Sequence, residues 1–189
     1  MNRIGIRVGS VLSALLAVVS AFAQDGWDYE VSIEARVRGE ARDNRDFFDA
    51  LNDRRDDIFG RLRVGLRMFN EEQGISIFVQ PQEAYDQYYT PSRNDNDHYF
   101  DVYQAYAEFL DSSEAWKLRG GRQDVTMGRK RLFGAGYWGN FGRSYDGVRI
   151  DHAVGKNVSI TAFGGTVGSA GRRPRHPDIG LLFGEWKSK

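Results

Sequence analysis

Arg36, Arg38, Arg42, Arg61, Arg63, Arg67, Lys117, Arg119 and Arg149 stand at alternate positions of separate polar–apolar segments, with Asp28, Glu30, Glu34, Glu40 and Glu108 in the same rows. Arg122, at the end of the Trp116–Gly120 segment's continuation, is counted with them as lining a pathway. Spacing of two puts side chains on one face of a β-strand. A guanidinium is a planar fork of donors that matches carboxylate or phosphate. Rows of such forks on strands about 4.8 Å apart, interleaved with acids, attract an anion and still release it. The plainer reading is mutually neutralised charge that fills or hydrates an interior. Either way the rows face away from lipid, where an arginine near the midplane costs about 2–4 kcal/mol.

The elements that must carry these rows follow from the same alternation. From Trp27 to Arg42, Tyr29, Val31, Ile33, Ala35 and Val37 alternate with charges of both signs. Further strands are predicted at about Ile58–Phe69, Ile75–Ala84, Tyr99–Leu110, Trp116–Gly120, Tyr145–His152, Val158–Gly165 and Ile179–Trp186. In the third, Ile75, Ile77 and Val79 point outward and Ser76, Gln80 and Gln82 inward. In the fourth, Tyr103, Ala105, Ala107 and Phe109 point outward and Gln104, Tyr106 and Glu108 inward. Gly120-Gly121 marks a bulge or bend. Asn70–Gly74 and Asp111–Ser113 read as tight turns; Asp43–Asp57, Tyr85–Asp97, Thr126–Arg143 and Gly168–Asp178 read as longer polar connections. No helical period appears after the N-terminal segment. The expected fold is all-β: an antiparallel up-and-down transmembrane β-barrel, a meander of about eight strands with short turns at one end and longer loops at the other.

Composition agrees. Charged residues are 28% and hydrophobic ones 41% of the 189, and mean hydropathy is −0.54, too polar for a helical membrane protein. Net charge is zero, so bulk charge suggests no nucleic-acid partner, and the absence of cysteine excludes disulfides and thiolate metal sites. Arg3 and Arg7, the apolar run Val8–Val19 and Ala21-Phe22-Ala23 read as a signal peptide over 1–23, with the barrel domain at 24–189.

The stretch LRGGRQDVTMGRKRLFGAGYWGNFGRSYDGVRID, Leu118 to Asp151, resembles the alginate-export family of outer-membrane β-barrels. The resemblance rests on Gly121-Arg122-Gln123, Gly128, Arg131-Leu132, Gly134, Trp138, Arg143, Tyr145, Asp146, Gly147, Val148 and Arg149, with Gln104-Ala105-Tyr106 and Arg61–Gly65 upstream. It implies a non-enzymatic, cofactor-free channel in a Gram-negative outer membrane that passes an anionic polysaccharide or a small anionic solute. It also implies lipid, lipopolysaccharide and the barrel-assembly machinery as partners. Family barrels are longer, and Phe183–Lys189 lacks the terminal aromatic of a closing strand, so the sequence is expected to be the N-terminal part of a larger barrel. The alternative is a small eight-stranded barrel with its interior filled by side chains.

Other constellations are weaker. Asp95, Asn96, Asp97 and Asp101 could offer oxygens to calcium, but their spacing is not that of an EF-hand and a solvated outer loop is the favoured reading. His98, His152 and His176 lack metal-ligand spacing. Ser144, Asp146 and His152 lack a nucleophile elbow, and Gly164–Gly168 lacks a phosphate-loop lysine. Lys130, Arg131, Arg172, Arg173 and Arg175 lie in predicted loops, open to anions or simply solvated. Three classes therefore stand: a channel, a filled outer-membrane barrel with a structural or enzymatic role, and a soluble periplasmic glycan-binding protein whose apolar rows would pack on a second sheet.

Overall fold

A computed structural model describes residues 26–42, 55–90, 93–128, 134, 136–168 and 178–186, the side chains of 90 and 93–95 excepted. The predicted signal peptide, Arg131 and Leu132, and the basic loop residues at 130, 172, 173 and 175 lie outside them. Eight strands are present: β1 (Asp28–Arg42), β2 (Arg55–Asn70), β3 (Ile75–Thr90), β4 (Arg93–Leu110), β5 (Trp116–Gln123), β6 (Ser144–Val154), β7 (Val158–Gly168) and β8 (Asp178–Trp186). They form one antiparallel sheet in sequence order. Among the described residues the sheet is not closed, and β1 and β8 each have one neighbour.

Register fixes the faces. Glu34 lies opposite Arg63, Arg36 opposite Arg61 and Glu30 opposite Arg67. The same face continues through Arg67–Phe78, Ser76–Glu108, Glu108–Arg119 and Arg119–Arg149. The opposite face is apolar and bare at many positions: Val37 is 81% and Leu182 80% exposed, and Tyr29, Val31, Ile33, Phe109, Leu118 and Val148 are exposed too. Among the described residues no second sheet covers them.

Two expectations are corrected. Tyr85–Asp97 is not a long loop: β3 runs on to Thr90 and β4 begins at Arg93, with Tyr85 opposite His98 and Asp86 opposite Asp97. Tyr85 and His98 add a ring contact at 4.7 Å. The segment is polar on both faces, so hydropathy hides its period of two. The Asp95–Asp97 group accordingly sits on a strand, and among the described residues no cluster of His, Asp or Glu is placed to hold a metal. Nor does Tyr103 point outward. The register shifts between Gln80 and Pro81, so that Gln104 faces Gln80 and Val102 faces Pro81. Tyr103 is the extra residue of that bulge, turned to the charged face and 2% exposed.

Pairing runs through Gly120 and Gly121 without a shift. Gly121 has φ of 124°, and a Cβ there would run into the Ala105 carbonyl. The charged face changes character at β6–β8, where Tyr145, Phe163, Val167, Ile179 and Leu181 form an apolar cluster with Val125 and Met127. Gly147 and Gly165 are cross-strand partners beneath Phe163. A Cβ on Gly147 would lie 2.7 Å from the Gly165 Cα and 3.0 Å from the Phe163 ring. Gly147→Ala is therefore expected to cost about 1–3 kcal/mol by overpacking, measured as a lowered urea midpoint of the folded protein in detergent.

Candidate functional site

The described parts of the connection from β5 to β6, residues 124–128, 134 and 136–143, lie over the charged face and are called the strap. Its start, Val125 and Met127, packs into the apolar cluster of β6–β8. Its later part reaches the far side and lies on β1–β4. Gly136–Gly139 makes a turn closed by Gly139 N–H donating to the Gly136 carbonyl at 2.9 Å, with Gly136 at φ of 60°.

An irregular segment laid on a sheet must find partners for its backbone carbonyls. Arginine, with five N–H donors, supplies them here. Arg36 donates to the carbonyls of Tyr137 at 2.5 Å and Gly139 at 2.9 Å. Arg38 donates to Trp138 O. Arg61 reaches the carbonyls of Gly139 and Asn140, each at 3.3 Å, and Arg63 that of Phe141 at 3.1 Å.

Side chains of the strap answer in kind. Asn140 donates to the carbonyls of Gly60 and Tyr85, both at 3.1 Å, and to Asp86. Phe141 meets Tyr99 edge-on at 4.6 Å. Gly142 lies so close to Arg63 and Tyr103 that a Cβ would come within 2.7 Å of one and 3.0 Å of the other. Tyr137 donates its hydroxyl to Asp124 at 2.7 Å. Partial burial, and then this bond to a carboxylate, push the Tyr137 phenol above its ordinary range, which keeps it a neutral donor.

Two clusters of charge stand on this face. Around Glu34, Glu40 and Asp57 stand Arg36, Arg38, Arg42, Arg55, Arg61 and Arg63; Arg55 pairs with Asp57, which lies opposite Glu40. Glu34 binds Arg61 and Arg63, the latter at 3.3 Å, and Glu40 binds Arg42 and, at 2.8 Å, Arg38. Arg63 is 1% exposed; its Nε donates to Gln82 at 2.6 Å, and its guanidinium lies 3.5 Å from the centre of the Tyr103 ring. Nearer the short turns, three cations surround buried Glu108. Arg119 binds it at 2.5 Å and 2.8 Å, while Arg67 at 3.8 Å and Lys117 at 3.9 Å are beyond hydrogen-bond reach. Arg149 pairs with Asp151 on its own strand at 2.8 Å.

Arg122 is placed differently. It grips Asp146, its register partner, in two bonds of 2.7 Å and 3.0 Å. By alternation Asp146 shares the face of Val148 and Ile150, not that of Arg119 and Arg149. Arg122 also donates to Val102 O at 3.2 Å. Of the other motif residues, Gln123 is fully buried and donates to Gly147 O at 3.2 Å, which ties β5 to β6. Gly128, Gly134, Trp138 and Arg143 lie in the strap, and Asp146 and Gly147 open β6. Sequence reasoning missed Asn140, Gln82 and Tyr103 as anchors. The signal available was the Gly136-Tyr137-Trp138-Gly139-Asn140 turn.

Arranged this way, the face can hold a polar solute against two groups of interleaved cations and carboxylates, beside a segment that narrows the space over the sheet. In comparison with known proteins, a family model described as Alginate export matches residues 28–161. No curated protein and no solved structure matches the chain.

Proposed function

The chain belongs to the alginate export family, and from that premise we propose that its charged face lines a water-filled channel through a Gram-negative outer membrane. The solute is an anionic polysaccharide or a small anion. The family is one of transport, not catalysis. Residues 1–23 act as the export signal, the apolar face meets lipid, and the rim meets lipopolysaccharide.

The observation that carries this reading is the pair of exposed cations, Arg67 and Lys117, on a face where arginines and carboxylates interleave. Six guanidiniums stand among Glu34, Glu40 and Asp57 at the level of the strap, and three cations share Glu108 nearer the short turns. The first group is spent largely on the strap's carbonyls. In the second, Arg67 and Lys117 have exposed side chains and no hydrogen bond to their acid, so their donors are open to a passing carboxylate.

Planar-bilayer recording of the full chain tests the reading. Changing Arg67 and Lys117 together to Gln is expected to lower the preference for chloride over potassium by on the order of twofold, with the conductance retained. A folded protein that never conducts would favour the filled-barrel reading, which the strap's coverage of the charged face also supports.

A further inference from the structure

Trp138 is 74% exposed although it stands on the face that carries the arginines. It occupies the tip of the Gly136–Gly139 turn. Its carbonyl is held by Arg38, and the carbonyls on either side, of Tyr137 and Gly139, are held by Arg36. The Arg38 guanidinium lies 4.5 Å from the centre of its ring and 4.8 Å from that of Phe59, so Phe59, Arg38 and Trp138 form a stack. An indole that is merely left over on a surface is not fixed in this way. This one is mounted rigidly, backed by a cation, and open over most of its surface. Exposed Arg143 flanks the same turn, its Cβ 3.9 Å from where a Gly136 Cβ would stand.

A flat aromatic surface rimmed by charged donors is the complement of a pyranose ring. The sugar's axial C–H groups form an apolar patch that packs on the π-face, and its equatorial hydroxyls reach the rim. We propose that Trp138 is a stacking platform for a pyranose ring of a saccharide moving along the charged face, with Arg143 as the rim donor. The proposal rests on the channel reading for the route by which sugar arrives. It goes further in one respect: stacking uses C–H groups, so neutral and acidic sugars both engage Trp138, whereas the arginines favour only the acidic ones.

The test is isothermal titration calorimetry of the full chain in detergent micelles, with maltohexaose as the neutral probe and an oligomannuronate as the acidic one. Both are expected to give a saturable heat change that is lost in Trp138→Ala and partly kept in Trp138→Tyr. Heat-modifiable electrophoretic mobility shows that each variant is folded, which the exposure of the side chain leads one to expect. No saturable change in the wild type, or the same change in Trp138→Ala, overturns the platform. Binding is read here without current. Absent conductance with a Trp138-dependent signal therefore defeats only the channel reading, and conductance without that signal defeats only the platform.

Discussion

Asn140→Asp detaches the turn of the strap from the sheet at neutral pH, although the two side chains have the same shape. Asn140 is 6% exposed and Asp86, beside it, 4%. The amide donates to two backbone carbonyls and to that carboxylate. An aspartate presents oxygen to all three. The loss of a charge-assisted bond and the stranding of buried acceptors sum to about 3–5 kcal/mol. Two carboxylates on one site cannot both ionise cheaply, so one of them takes a proton more readily than an isolated acid. The docked form is thus the protonated one: it is favoured at low pH and lost as pH rises through the raised value of the pair. Single-channel conductance of Asn140→Asp is expected to exceed that of the wild type at neutral pH and to approach it in acid. Asn140→Ala, with no second carboxylate, shows the larger conductance without that pH dependence.

Arg63→Met is expected to cost about 3–5 kcal/mol of folding stability. The side chain is 1% exposed, and methionine roughly keeps its volume. What is lost is the guanidinium, which serves Gln82, the Phe141 carbonyl and Glu34 at once and covers the Tyr103 ring. Gln82 and the Phe141 carbonyl are then left short of a donor in a buried place. Arg67→Met, two alternate positions along the same row, is the contrast. Its side chain is 45% exposed and its acid 3.8 Å away, so the cost is at most about 1 kcal/mol. Urea unfolding in detergent measures both. Equal losses would mean that the row is uniform and that no part of it is reserved for solute.

The alternation of β1 was legible because severe contrast between its two rows admits one register. Once Arg36, Arg61, Lys117 and Arg119 share a face, the pairing of β1 through β6 is fixed by the cost of turning any of them toward an apolar surroundings. The strap was not legible, because its anchors are backbone carbonyls, which every residue has. Its need for donors explains a pairing that the sequence makes look unfavourable. Arg36 and Arg61 lie directly opposite, where like charges repel, yet both donate to carbonyls of the strap. The ladder of arginines and carboxylates read from the sequence is therefore partly a cradle. The bulge at Tyr103 was hidden because alternation gives no warning of an inserted residue; Pro81, which has no N–H to give its neighbour, was the available sign. Polar Tyr85–Asp97 was missed for the opposite reason, since strands that project with polar residues on both faces show no contrast.

The zero-current potential of the full chain in a planar bilayer under a potassium chloride gradient tests the central claim most directly. A face on which Arg67 and Lys117 are exposed and beyond hydrogen-bond reach of Glu108 predicts a reversal displaced toward the chloride equilibrium potential, with the displacement reduced in Arg67→Gln/Lys117→Gln. A reversal toward the potassium potential, or one that these substitutions leave unchanged, would contradict it.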